Sequence, residues 1–281
     1  MQKSRHVMTA AGVKMPNLIY GTAWKQERTA ELVVKAVQAG FRGIDTACQP
    51  KHYHEAGVGD ALMTLQKQGI KREELYVQTK FTPVEGQDAG TIPYDKEAPL
   101  TEQVAQSFAA SQKNLQSGYV DALLLHTPLF PFSHLLSVWR AMETIQKSGG
   151  ARQLGISNCY DLALLKRLYS EAGVKPALVQ NRFYDGSGYD TELRRWCGEQ
   201  GIIYQSFWSL TANPHLLGSE ALFTLARKYR KSEAQIFYAF LNAIGIVPLN
   251  GTTSQEHMAE DLEISTFELL PSEIRTIEKL L

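Results

Sequence analysis

Gly43-Ile-Asp45-Thr-Ala-Cys48-Gln-Pro-Lys-His52-Tyr53-His54-Glu55-Ala-Gly57-Val-Gly59 reads as a short apolar strand, a polar loop and the start of a helix. The strand ends on Asp45, the loop carries a single tyrosine, and Glu55 falls in the first helical turn, where negative charge suits the helix dipole. Folds of the α/β class place their chemistry at strand ends and in the loops that follow. A carboxylate and a phenol are thereby delivered to one rim.

The same alternation extends outward in both directions. Before it, residues 7–21 hold two short runs flanking Ala10-Ala11-Gly12, a hairpin with glycine in its turn. Asn17-Leu-Ile-Tyr-Gly21-Thr22-Ala-Trp24 is a first strand, and Ala30, Val33, Val34 and Val37 mark a helical face that Gly40 ends. After it come six more strand-length runs: Leu75-Tyr-Val-Gln-Thr-Lys80, Asp121-Ala-Leu-Leu-Leu-His126, Gln153-Leu-Gly-Ile-Ser-Asn158, Ala177-Leu-Val-Gln-Asn181, Ile202-Ile-Tyr-Gln-Ser-Phe207 and Ile244-Gly-Ile-Val-Pro-Leu249. Helical periods are expected around residues 101–117, 133–148, 160–172, 190–200 and 218–243, the last as more than one helix. Near-continuous apolar strands alternating with helices indicate a parallel sheet covered on its outer side, and eight such units in about 250 residues match a closed (β/α)₈ TIM barrel. We expect one domain spanning residues 1–281. A doubly wound dinucleotide-binding sheet would carry G-x-G-x-x-G after its first strand. Gly57-Val-Gly59 and Gly186-Ser-Gly188 both lack the third glycine.

Composition narrows the function. Of 281 residues, 44% are hydrophobic and 21% charged, enough for a full core, and a formal net charge of +0 leaves no electrostatic footprint for nucleic acid or an anionic membrane. Cys48, Cys159 and Cys197 form no C-x-x-C pair and are odd in number, so neither a zinc knuckle nor a disulfide framework is suggested. The N-terminal Met-Gln-Lys-Ser-Arg-His-Val-Met lacks the apolar core of a signal peptide, and no run approaches a membrane span. A cytoplasmic, monomeric enzyme acting on small molecules is expected.

Gly40-Phe41-Arg42-Gly43-Ile44-Asp45-Thr46-Ala47 and Tyr53-His54-Glu55-Ala56-Gly57-Val58-Gly59 resemble the aldo-keto reductases, whose second strand reads G-[FY]-R-x-I-D-T-A with a tyrosine and N-E-x-x-V-G soon after. His54 replaces the usual asparagine, and the loop before Tyr53 is longer than in most members. Val77-Gln-Thr-Lys80-Phe resembles the family's T-T-K-[LF] strand, and Leu123-Leu-Leu-His126-Thr-Pro128 its L-x-H-x-P. The resemblance implies reduction of aldehydes or ketones, with hydride from a nicotinamide and a proton from Tyr53. A phenol with a pKa near 10 is a poor acid at neutral pH. Lys80 is expected to lower that pKa, Asp45 to hold Lys80 charged, and His126 to donate a hydrogen bond that orients the carbonyl. His52 is the alternative donor should Tyr53 point away. A nucleotide-binding regulatory barrel with little turnover is the competing reading. A metal-dependent barrel hydrolase or isomerase using His52, His54 and His126 is a third, and no metal is expected.

The same resemblance assigns the cofactor contacts. Ser157, Asn158 and Gln180 would hold the nicotinamide amide, Phe207 or Trp208 would stack on its ring, and Gly21, Thr22 and Asp45 would line the first strands. Ser209 and Leu210 follow the stacking aromatic. The family's NADP segment, P-K-S-x-[TN]-x-x-R-[IL]-x-x-N, departs here: its lysine, arginine and final asparagine become Leu249, His257 and Asp261. Coulombic selection for a 2′-phosphate is therefore weakened, although Asn250, Thr252 and Thr253 can still hydrogen-bond one. NADPH is expected, with NADH as the alternative. The family's hairpin caps the barrel's N-terminal end. Many members carry a long C-terminal loop over the substrate, whereas this chain stops at Leu281, so a short tail and a shallow pocket are expected. Trp24, Phe130 with its neighbours, and the irregular segment 81–100 would then wall the pocket and favour hydrophobic or aromatic carbonyl compounds.

Overall fold

A computed structural model describes residues 5–281. The first four, on which the expectation about a leader segment partly rests, lie outside that description. Strands β1 (His6–Met8) and β2 (Lys14–Pro16) pair antiparallel as the expected hairpin, with Gly12 in its turn at φ +74°. Eight parallel strands then close a barrel: β3 (Ile19–Gly21), β4 (Gly43–Asp45), β5 (Tyr76–Phe81), β6 (Val120–Leu125), β7 (Ala151–Ser157), β8 (Leu178–Arg182), β9 (Ile203–Phe207) and β10 (Ile246–Asn250). Closure is made where Leu249 and Asn250 pair with Ile19 and Tyr20.

Helices cover the outside. They are α1 (Thr29–Ala39), α2 (Glu55–Lys67), α3 (Leu100–Leu115), α4 (Phe132–Lys147), α5 (Leu162–Glu171), α6 (Thr191–Glu199), α7 (Pro214–Leu217), α8 (Glu220–Tyr229), α9 (Glu233–Ala243), α10 (Gln255–Asp261) and α11 (Pro271–Glu278). Of the face read for α1, Val33 and Val37 are buried and Ala30 and Val34 half-buried, because the helix is rotated so that Leu32 and Ala36 join Val33 and Val37 in the core with Phe41 and Ile44. Each such aliphatic contributes roughly 1.5–3 kcal/mol on burial. Every residue of β5 and β6 is buried, as a sheet covered on both faces requires.

Helix α2 begins on Glu55, and its carboxylate does more than face a helix dipole. It accepts hydrogen bonds from Thr79 Oγ1 (2.5 Å), Ser111 Oγ (2.9 Å) and Asn114 Nδ2 (3.0 Å), tying α2 to β5 and α3. The two helices touch closely enough that a Cβ on Gly59 would lie 2.0 Å from the Asn114 carbonyl oxygen. The loop before α2 is thereby held at a fixed height above the barrel.

The barrel interior is apolar at its N-terminal end, where the hairpin's Val13 and Met15 pack on Ile19, Ala122, Leu124 and Val247. Above that layer runs a chain of buried polar groups, in place of the branched aliphatics that usually fill such barrels. Thr9 Oγ1 donates to Gln153, Gln153 Nε2 to Tyr76, and the Tyr76 hydroxyl to Gln78. Gln78 Nε2 in turn reaches Gln205 (2.9 Å) and Asp45 (2.7 Å). The hairpin cap is thus wired through the barrel axis to the first residue of interest.

Candidate active site

The C-terminal strand ends surround a cleft of about 840 Å³. Asp45, ending β4, and Lys80, in β5, are 2% and 1% exposed. Lys80 Nζ donates to both Asp45 oxygens at 2.7 Å and to the Thr46 carbonyl at 2.9 Å. Asp45 Oδ1 also accepts from Gln78 (2.7 Å) and Gln180 (3.0 Å), so the carboxylate is satisfied from two strands, β5 and β8. Burial pushes the Lys80 pKa down, but the charge of Asp45, then of Tyr53, outweighs it and leaves the ammonium above its ordinary value.

Tyr53 is half-buried in the cleft wall, its ring centre 5.0 Å from Lys80 Nζ and 6.0 Å from the His126 ring. Asp45, Tyr53 and His126 therefore line one hollow, with Lys80 buried behind them against the Tyr53 ring. The expectation that Lys80 lowers the phenol's pKa needs correcting. Lys80 does pull it down, but burial pushes it up by more, with Asp45 adding to the rise, so the group stands above 10.0. The phenol stays protonated at neutral pH, and Lys80 instead faces the phenolate left after a proton is given away. His126, immediately after β6, is pushed well below 6.5 by burial, then by Lys80 and His52, and is a neutral imidazole. Its Nδ1 lies 2.6 Å from Thr82 Oγ1. His52 stacks on Trp24 with ring centres 4.0 Å apart, and His54 is the residue before α2.

Most of the expected cofactor contacts also line the cleft: Gly21, Ser157, Asn158, Gln180 and Phe207 at one end, then Ser209 and Leu210, with Leu249, Asn250, Thr252, Thr253, His257 and Asp261 at the other. Gln180 spends both amide hydrogens on Asp45 and Gln205, leaving its oxygen as the acceptor for an incoming amide. Phe207 and Trp208 meet edge to face at 87°, and Trp208 is 48% exposed with the Arg182 guanidinium over it. Thr22 is the exception in this set. It is fully buried behind the wall, donating to the Asp45 carbonyl, so it supports β4 without facing the cleft.

Two expected walls are not where the sequence suggested. Phe130 is 73% exposed and does not line the cleft, because α4 starts at once and carries the preceding loop outward. The segment 81–100 does not line it either. Its Tyr94 ring lies 5.6 Å from Phe81 and its hydroxyl donates to the Thr82 carbonyl, while Gln87 bonds the carbonyls of Cys48 and Thr82. The segment is folded back on β5. Trp24, 59% exposed, does line the cleft, as do Lys25, Trp208 and Glu260, none of the last three being a firm assignment from sequence. Lys25 Nζ donates to the Gly251 carbonyl at 2.7 Å, and burial, then Arg28, lowers its pKa to about 8.

A barrel mouth that gathers a phenol, a buried ammonium–carboxylate pair and a neutral imidazole beside an elongated cleft is the setting of a nicotinamide-dependent carbonyl oxidoreductase. The sequence profile of the Aldo/keto reductase family matches residues 17–281, and the chain belongs to that family. A glyoxal reductase of Bacillus subtilis (strain 168) is 30% identical over 272 residues, which cover 96% of this chain and 90% of that protein. The methylglyoxal reductase DkgA of Escherichia coli (strain K12) is 30% identical over 273 residues, with coverage of 96% and 90%. Among solved structures, an aldo/keto reductase from Brucella melitensis has a TM-score of 0.85 at 28% identity, covering 99% of this chain and 100% of the other. A Bombyx mori aldo-keto reductase solved in complex with NADP has a TM-score of 0.82 at 25% identity, covering 99% and 93%. The protein is an NAD(P)H-dependent oxidoreductase acting on small carbonyl compounds. Among the described residues, no helix is long and apolar enough to cross a membrane.

Proposed function

We propose that Tyr53 is the proton donor in carbonyl reduction, with Lys80 and Asp45 stabilising the phenolate it leaves and His126 orienting the carbonyl. The observation that carries this reading is the convergence of four groups from the ends of three neighbouring strands, β4, β5 and β6, with Lys80 held by both Asp45 oxygens and facing the Tyr53 ring. When bound, the reduced nicotinamide supplies the hydride. This chain's part is to hold the amide through Ser157, Asn158 and the Gln180 oxygen, to present Phe207 or Trp208 to the ring, and to deliver the proton. Replacing Tyr53 by Phe is the direct test. Turnover should fall by about a thousand-fold or more while cofactor affinity stays within a few-fold. An unchanged rate would move the donor to His52, which lies on the same wall.

NADPH is the cofactor we propose, in keeping with the NADP-bound silkworm relative, with weak discrimination against NADH. Around Leu249, Asn250 and His257 the backbone donors are already engaged: Asn250 Oδ1 takes the Thr252 N–H, Thr252 Oγ1 the Ser254 N–H, and Ser254 Oγ the His257 N–H. A 2′-phosphate there meets the acids Glu260 and Asp261 as well as His257. Titrating both nucleotides against tryptophan fluorescence, with Trp24 and Trp208 on the wall, measures the preference. Quenching by neither would remove the cofactor reading.

The substrates we propose are aldehydes and ketones that fit beside Trp24 and Trp208, including the two-carbonyl compounds named for the bacterial relatives. An aromatic wall with few charges favours hydrophobic bodies over phosphorylated sugars. We propose a single domain and a monomer, the barrel closing its own sheet without an open strand edge.

A further inference from the structure

We propose that Thr82 is a positioning residue that holds His126 in the tautomer protonated on Nε2, and so makes His126 a hydrogen-bond donor toward the carbonyl oxygen. The inference rests on the reading of His126 as the group that faces the carbonyl. Thr82 stands immediately after β5 and His126 immediately after the neighbouring β6, so the two leave the sheet side by side. The His126 main chain is pinned on both sides: its N–H donates to the Phe81 carbonyl (2.8 Å), and its carbonyl accepts from Asn158 Nδ2 (2.9 Å). What remains free is the ring, and Thr82 Oγ1 meets it at Nδ1, 2.6 Å away.

The direction of that bond follows from satisfying the hydroxyl. Thr82 is 1% exposed, and among the described residues its hydroxyl has no other hydrogen-bond partner than His126 Nδ1. A neutral imidazole carries one proton, and burial with Lys80 and His52 nearby keeps this ring neutral. Were that proton on Nδ1, it would point at Oγ1 and leave the Thr82 hydroxyl hydrogen buried without an acceptor. With the hydroxyl donating to Nδ1, both groups are satisfied and the ring proton sits on Nε2, where it can be donated. An oxygen gaining negative charge as hydride arrives needs such a donor and is repelled by a lone pair. The backbone of Thr82 is itself fixed, its carbonyl accepting from Tyr94 Oη (2.7 Å) and Gln87 Nε2 (3.2 Å). The segment 81–100 thus serves the site without lining it.

Histidine labelled with ¹⁵N and long-range proton–nitrogen spectra read the tautomer directly in the full-length protein. The wild type should give the Nε2-protonated pattern for His126. Thr82→Val, which keeps the shape and removes the donor, should shift His126 toward Nδ1 protonation and lower kcat by roughly 10- to 100-fold. Cofactor affinity should not change, and Thr82→Ser should restore both signals. A merely structural threonine would leave the nitrogen shifts alone. An Nδ1-protonated His126 in the wild type, or a Thr82→Val protein with unaltered shifts and kcat, overturns the proposal. His126→Gln separates the two layers of inference. Normal turnover there sinks the role given to His126, whereas a slow His126→Gln beside an unimpaired Thr82→Val sinks only the role given to Thr82.

Discussion

The two ends of the cleft solve the problem of charge in opposite ways. At the β4–β6 end an ammonium and a carboxylate are taken fully out of water, and every donor on Lys80 is matched by an acceptor. At the β10 end Lys25 and Asp261 are also buried, but among the described residues neither is paired with an opposite charge. Among the described cleft-lining residues Lys25 is the only lysine or arginine, whereas Glu260 and Asp261 line the cleft as acids. The first end is over-determined: Asp45 is fixed by β5 and β8 together, and the chain of glutamines below it reaches the hairpin cap. The second is held by backbone turns and one buried Asn250–Asp261 contact. Such a division suits an enzyme whose chemistry tolerates no misplacement while its nucleotide tail needs only to be held.

Breaking the buried pair should therefore have the largest effect. Lys80→Met leaves Asp45 buried without its cation, a change that typically costs about 3–5 kcal/mol of stability, and turnover should fall by a thousand-fold or more. Adding Asp45→Asn to it should recover much of the stability and none of the turnover. Tyr53→Phe should lose a similar factor in rate with a much smaller change in melting temperature, since it removes only the hydroxyl's contact with Lys80 and leaves the Lys80–Asp45 pair intact. Chemical denaturation alongside single-turnover kinetics distinguishes the three proteins. Equal stability of Lys80→Met and wild type would mean that the pair is far better solvated than its geometry implies.

The comparison sharpens at the other end if the missing cations are supplied. Leu249→Lys combined with His257→Arg should raise the preference for NADPH over NADH by about 10- to 100-fold, because fixed cations gain most from a phosphate dianion. The rate at saturating cofactor should stay within a few-fold. Nucleotide titrations of the double variant check this, and an unaltered NADPH/NADH ratio would remove the 2′-phosphate from that region.

Much of this division was legible in the sequence because strand ends are local features. Asp45, Lys80 and His126 each close an apolar run, so their common rim follows once eight runs are recognised as a closed barrel. The parts that stayed hidden depend on contacts between elements distant in sequence. Gln78 and Gln205 sit in runs that read as strand interior, and nothing local says that their amides meet Asp45 and each other. Thr82 lies just beyond the matched Lys80-Phe81 and becomes notable only when β6 brings His126 beside it. The segment 81–100 was read as a pocket wall from its length and its place after β5. Its Tyr94 and Gln87 instead find acceptors on the backbone of Thr82, just after β5, and of Cys48 in the loop after β4, a preference that composition does not encode. Net pKa directions were equally out of reach, since the phenol's depends on burial outweighing Lys80.

A smaller effect concerns Lys25. With its pKa lowered to about 8, the side chain begins to lose its charge within the working range of many enzymes. If it faces the cofactor's phosphates, their binding raises that pKa and takes up a proton above pH 8. The Kd for NADH, which has no 2′-phosphate to titrate, should be flat below about pH 7 and rise by roughly ten-fold between pH 7 and 9. Lys25→Met should bind more weakly and without that slope. A wild-type Kd that stays level to pH 9 would take Lys25 out of the nucleotide site.

The smallest effect isolates the acidic side of the same end. Burial lifts the Asp261 pKa from 3.8 to about 6, with the Asn250 hydrogen bond and then His257 opposing the rise. A carboxyl whose pKa is higher in the folded chain binds its proton more tightly there. Stability is therefore greatest while Asp261 is protonated in both states and falls as pH climbs from about 4 to 6. Above that window the penalty is constant. Asp261→Asn keeps an acceptor for Asn250 and removes the charge, so it should stabilise the protein at pH 7 by about 1–2 kcal/mol, discounted for partial solvation, and by little at pH 4. Urea melts of the two proteins at both pH values measure the difference. An equal gain at pH 4 and pH 7 would assign the effect to packing, and the acidic character of this end would then have no energetic consequence for the fold.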